Sequence, residues 1–206
     1  MYTYLALGDS YTIGEQVALH ENFPYQTVAL LREKNIEAAD PVIVAKTGWT
    51  TDELAMAIRE EGIREQFSFV TLLIGVNNQY RGRAVENYRE EFTSLLQQAI
   101  TFANGDSQKV FVLSIPDWGV TPFAQDRDRK QVAVEIDVYN QANKEISVAH
   151  QCRYLDITDS TRKNGNNPTF LAEDGLHPSK EEYSIWAKRL APMIETVLKS
   201  KLCDFG

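Results

Sequence analysis

The feature that most constrains the fold is an alternation along the chain. Short, nearly continuous apolar runs are separated by longer stretches with helical spacing. The runs occupy 2–7, 41–45, 69–74, 110–115 and, more weakly, 153–157. Runs of this length without polar alternation predict strands covered on both faces, as in a parallel sheet. Between them, 83–103 carries Val85, Tyr88, Phe92, Leu95, Leu96, Ala99 and Phe102 at three- and four-residue spacing, and Asn104-Gly105 ends it. The stretch 128–149 is helical in pattern as well. Thr50 and Glu53 have the spacing of a capping box opening a shorter helix, and Ser179 and Glu182 repeat it before a last helix. Pro192 is expected to kink or break that last helix, because it lacks an N–H and crowds the preceding turn. The alternation predicts an α/β fold: a three-layer α/β/α sandwich around a parallel sheet of about five strands, built as a single domain over 1–206.

A length of 206 residues suffices for one core without staples. The formal charge of −8 argues against nucleic acid or an anionic membrane as the main partner, since both require concentrated Lys and Arg. No apolar run is long enough to span a membrane, and no signal-peptide pattern is visible at the N-terminus. Cys152 and Cys203 have no metal-like spacing and are too few for a disulfide framework, so a cytoplasmic setting is the expectation.

Open parallel sheets bind ligands outside the carboxyl ends of their strands. Four segments are expected there: Gly8-Asp9-Ser10, Lys46-Thr47-Gly48-Trp49, Gly75-Val76-Asn77-Asn78 and Asp174-Gly175-Leu176-His177. Each has a mundane reading as turn chemistry. Each also has a chemical one. Ser10 sits where a turn could lift a hydroxyl out of the fold, although Thr12 stands where the Gly-x-Ser-x-Gly elbow would require glycine. His177 precedes Pro178 and is therefore expected in a loop, with Asp174 three residues earlier able to orient its ring. Gly48 could offer a backbone N–H, and Asn77 a side-chain amide, to a developing oxyanion. A metal phosphoesterase using Asp9, Asp174 and His177 is an alternative chemistry, although no further His or Cys cluster supports a metal.

Taken together and in order, these four motifs resemble the SGNH, or GDSL-type, hydrolase family over essentially the whole chain, from Leu5-Ala6-Leu7-Gly8-Asp9-Ser10-Tyr11 to Asp174-Gly175-Leu176-His177-Pro178-Ser179. The resemblance implies a flavodoxin-like fold and ester hydrolysis without metal or organic cofactor. It implies Ser10 as nucleophile, His177 as general acid/base and Asp174 as its orienting carboxylate. The oxyanion hole would comprise the Ser10 N–H, the Gly48 N–H and the Asn77 amide. Asn78 departs from the aspartate that often follows the family's asparagine, and Tyr11 from the family's leucine. Asp9, Trp49, Asn78, Tyr80 and Trp118 are the expected substrate contacts, with Arg81 and Arg83 hinting at an anionic or carbohydrate group near Tyr80. For Trp49 and Phe123, packing of long loops is the competing reading. A short acyl ester, lysophospholipid, thioester or acetylated carbohydrate fits equally well. A non-catalytic carbohydrate- or lipid-binding module on the same fold is the alternative.

Overall fold

The computed structural model describes residues 1–200, so Cys203 lies outside the described residues. Its strands are β1 (Tyr4–Asp9), β2 (Val42–Lys46), β3 (Phe69–Leu73), β4 (Val110–Leu113) and β5 (Arg153–Leu155). All pair in parallel, in the order β2-β1-β3-β4-β5. Every residue of β1, β3 and β4 is buried, while the edge strand β2 is half exposed, as expected for a sheet covered on both faces.

The helices are α1 (Ser10–Ile13), α2 (Phe23–Glu33), α3 (Thr51–Glu61), α4 (Val76–Tyr80), α5 (Val85–Phe102), α6 (Arg129–Ala149), α7 (Thr158–Asn164) and α8 (Lys180–Ser200). Helix α2 packs against α8, while α5 packs against both α3 and α6, giving the two helical layers of an α/β/α sandwich. The α5 stripe expected from the sequence is buried at Tyr88, Phe92, Leu95, Leu96 and Ala99. No helix among the described residues is long and apolar enough to cross a membrane.

Three expectations need correction. Helix α8 continues through Pro192 to Ser200. Pro192 lies on the exposed face, so the carbonyl its missing N–H leaves free, at exposed Lys188, faces water, while Leu190, Ala191 and Ile194 hold the opposite face in the core. Glu182 does not complete a capping box. Its buried carboxylate accepts hydrogen bonds from Ser160, Asn164 and the Trp186 indole, and Ser179 Oγ alone accepts the Glu181 N–H at 3.2 Å. Lastly, the segment 174–177 does not directly follow a strand, since α7 and a short 3₁₀ turn, Pro168–Phe170, intervene after β5.

The strand order reverses between β1 and β3, because the chain leaves β1 for β2 on one side and then crosses to the other. A crevice at the carboxyl ends of the strands follows from that reversal.

Candidate active site

Strand β1 ends on Asp9, and Ser10 is the first residue of the one-turn helix α1. Asp9 caps that turn by accepting the Tyr11 N–H at 3.0 Å. Gly14, at φ +77°, closes it by donating its N–H to the Ser10 carbonyl. Gly8 is required by crowding: a Cβ there would lie 2.1 Å from Thr12 Oγ1 and 2.5 Å from the Leu73 carbonyl. The Gly8-Asp9-Ser10 sequence therefore builds a strand-to-helix corner with the hydroxyl on its tip.

His177 Nε2 lies 2.9 Å from Ser10 Oγ, although 167 positions separate the two residues. On the far side of the ring, Nδ1 lies 2.6 Å from Asp174 Oδ2. Asp174 Oδ1 accepts the backbone N–H groups of Leu176 and His177, both at 3.0 Å. Burial alone would raise the Asp174 pKa, but the hydrogen bonds from the His177 ring and from these two amides outweigh it and hold the carboxyl below its usual range. Gly175 takes φ +65°, the left-handed conformation this tight reversal needs. Ser10 and His177 are buried, and the Tyr11 ring stacks obliquely at 5.1 Å from the imidazole.

Gly48 and Asn77 reach the same cavity from the ends of β2 and β3. Gly48 has φ +83°, and its carbonyl accepts a 2.6 Å hydrogen bond from Arg81 Nη2. One N–H of the Asn77 amide goes to the Trp49 carbonyl at 3.0 Å. The amide carries a second donor.

The cavity has a volume of about 170 Å³, with Ser10, Gly48, Asn77 and His177 in its wall. Its apolar side includes Tyr80, Trp118 and Phe123, whose rings meet edgewise or tilted at 5.2 to 6.4 Å. The Trp118 indole is anchored by donating to Gln79 Oε1 at 2.7 Å. A smaller cavity of about 20 Å³ lies beyond and shares Tyr11, Trp118 and Leu176 as walls.

Of the expected substrate contacts, Tyr80 and Trp118 line the cavity, whereas Asp9, Trp49 and Asn78 do not. Asp9 and Asn78 are fully buried, Asp9 beneath α1 as its cap and Asn78 against Thr51. Phe123 is a cavity wall in addition to being loop packing. Arg81 is held by Gly48 and Glu53, and Arg83 pairs with Asp52 at 2.5 Å, so neither is a free cation at the cleft. The arginine against the aromatic wall is Arg127, its guanidinium 5.5 Å above the Tyr80 ring. Nothing in the sequence around Arg127 signals that position. Val76 and Leu176, also cavity walls, were discoverable as neighbours of the motif residues.

A model of the GDSL-like lipase/acylhydrolase family matches residues 6–185. None of the curated proteins compared matches the chain significantly. Among solved structures, a lipase/acylhydrolase from Enterococcus faecalis is similar at 20% identity and a TM-score of 0.77, over 95% of this chain and 96% of that one. An acetylxylan esterase, Axe2, from Geobacillus stearothermophilus is similar at 19% identity and a TM-score of 0.72, over 94% of each chain. The psychrotrophic esterase EstA from Pseudoalteromonas sp., in a structure inhibited by monoethylphosphonate, is similar at 14% identity and a TM-score of 0.69, over 97% of this chain and 100% of that one. These structural likenesses concern the fold. The family match over most of the sequence, on motifs that converge on one cleft, identifies the chain as a member of the GDSL-like lipase/acylhydrolase family.

Proposed function

We propose that the protein hydrolyses carboxylic esters through an acyl-serine intermediate. The observation that carries this reading is the hydrogen-bonded chain Ser10–His177–Asp174, whose Ser10 and His177 lie in the wall of the cavity. His177 Nε2 takes the Ser10 proton as Oγ attacks the ester carbonyl, and the tetrahedral oxyanion forms. Asp174 keeps the Nδ1 proton in place and stabilises the imidazolium. His177 then gives its proton to the departing alcohol. Water, activated by the same imidazole, releases the acid. The Ser10 and Gly48 N–H groups and the free N–H of Asn77 are the proposed oxyanion donors, each worth about 10²–10³-fold in rate.

The apolar side of the cleft and its volume of about 170 Å³ favour a short acyl group. The alcohol side is open to several chemistries, and membership of an acylhydrolase family supports the ester bond as the scissile one.

The test is Ser10→Ala assayed against p-nitrophenyl acetate, with labelling by a fluorophosphonate probe. We expect turnover and labelling to vanish while the thermal midpoint stays close to that of the wild type. A fully active Ser10→Ala protein rules out the acyl-serine mechanism, and a wild type that neither turns over nor labels favours a binding module.

A further inference from the structure

Asn77 and Asn78 are neighbours on α4 but face different ways. Asn77 faces the cavity, while Asn78 is fully buried and grips the start of α3. Asn78 Oδ1 accepts the Thr51 N–H at 3.1 Å, and Asn78 Nδ2 donates to Thr51 Oγ1 at 2.6 Å. The Thr51 hydroxyl in turn donates to Glu91 Oε2 on α5. Glu91 is itself held: Asn87 donates to its other oxygen at 2.9 Å, and the Arg83 guanidinium lies 3.9 Å away.

A count of protons makes this chain directional. Thr51 has one hydroxyl proton, and Glu91 receives it. The residue at 78 must therefore supply a donor to Thr51 Oγ1 while still accepting the Thr51 N–H, and an amide does both. An aspartate would compete with Glu91 for the single proton and leave a buried carboxylate short of a donor. Asn78 and Glu91 are thus chemically matched to each other.

The same joint spans the proposed oxyanion hole. Helix α4 carries Asn77, and the segment from Gly48 to Thr51 carries the Gly48 N–H. Besides Asn78, Arg81 and Asn77 cross the gap, to the Gly48 and Trp49 carbonyls. We infer that Glu91, which touches neither substrate nor reacting atoms, is a positioning residue that fixes the spacing of the Gly48 and Asn77 donors through Thr51 and Asn78. This inference rests on the esterase reading above.

Reversing the polarity of the relay tests it. In the double variant Asn78→Asp/Glu91→Gln, the carboxylate at 78 accepts both the N–H and the hydroxyl proton of Thr51, and the amide at 91 donates to Oγ1. We expect Asn78→Asp alone to lower kcat for p-nitrophenyl acetate on the order of 10- to 100-fold with little change in KM, because donors are displaced and not lost. Inactivation by a fluorophosphonate should slow in parallel. The double variant should recover most of both rates. Losses that simply multiply, or a double variant that regains its thermal midpoint without regaining kcat, would overturn the inference. If Asn78→Asp does not fold, Thr51→Val against Thr51→Ser carries the test: valine should lose kcat, serine much less, and equal losses would overturn it. A wild type inert to both ester and fluorophosphonate refutes the esterase reading instead, and the inference falls with it.

Discussion

Asp9 sits directly before the proposed nucleophile, fully buried, with Oδ1 bonded to the Tyr11 N–H and Oδ2 without a hydrogen-bond partner. Burial pushes its pKa from an ordinary 3.8 up to about 7, although the Tyr11 amide pulls the other way. The unfolded chain therefore releases this proton near pH 4 and the folded chain near pH 7. Folding stability contributed here is full below about pH 4 and falls as the pH rises to about 7, by at most about 4 kcal/mol. Asp9→Asn keeps the capping acceptor and removes the titration. Its thermal midpoint relative to wild type should climb between pH 4 and pH 8, and a flat difference across that range would contradict the assignment. The sequence singled out Ser10, Asp174 and His177 as candidates because their types and order are distinctive, and the structure brings the three into one hydrogen-bonded chain. The sequence could not show which way Asp9 and Asn78 turn. Asp9 ends β1 and caps α1 in extended backbone, Asn78 lies on α4, where successive residues differ by about 100° in direction, and only the packed elements decide which residue faces the cleft.

At the scale of elements, the strands were legible from their continuous apolar runs. The structure ends β1 two residues later than the run does, because Gly8 and Asp9 still pair with Ala45 and Lys46. Helix α2 was not anticipated: Pro24 reads as a helix breaker, yet in the first turn it is tolerated, and Thr27 interrupts the apolar face despite being fully buried. Trp118 belongs to the short 3₁₀ turn Trp118–Val120 after β4, and with Tyr11 and Leu176 it forms the wall shared by the candidate site's cavity and the smaller one. Trp118→Ala should join the two. The expected outcome is a shift of the p-nitrophenyl ester preference by two or more carbons toward longer chains, with acetate turnover reduced. An unchanged chain-length profile would mean that the acyl group lies elsewhere.

For the whole molecule, alternation alone predicts parallel pairing but not which strand is central; the flavodoxin-like resemblance carried the order, which the structure has as β2-β1-β3-β4-β5. With β1, β3 and β4 inside and β2 and β5 at the edges, amide hydrogen exchange should be slowest in the three inner strands and faster in β2 and β5. Protection of β2 equal to that of β1 would argue against this order.

The contact between positions 10 and 177 has a consequence for synthesis and turnover. On the esterase reading, the hydroxyl leaves the ribosome 167 residues before the imidazole and remains chemically idle until the imidazole emerges and docks, with α8 against α2. On that reading, reactivity is armed only once the segment carrying His177 has docked, and a proteolytic cut that releases this segment disarms it without touching the serine.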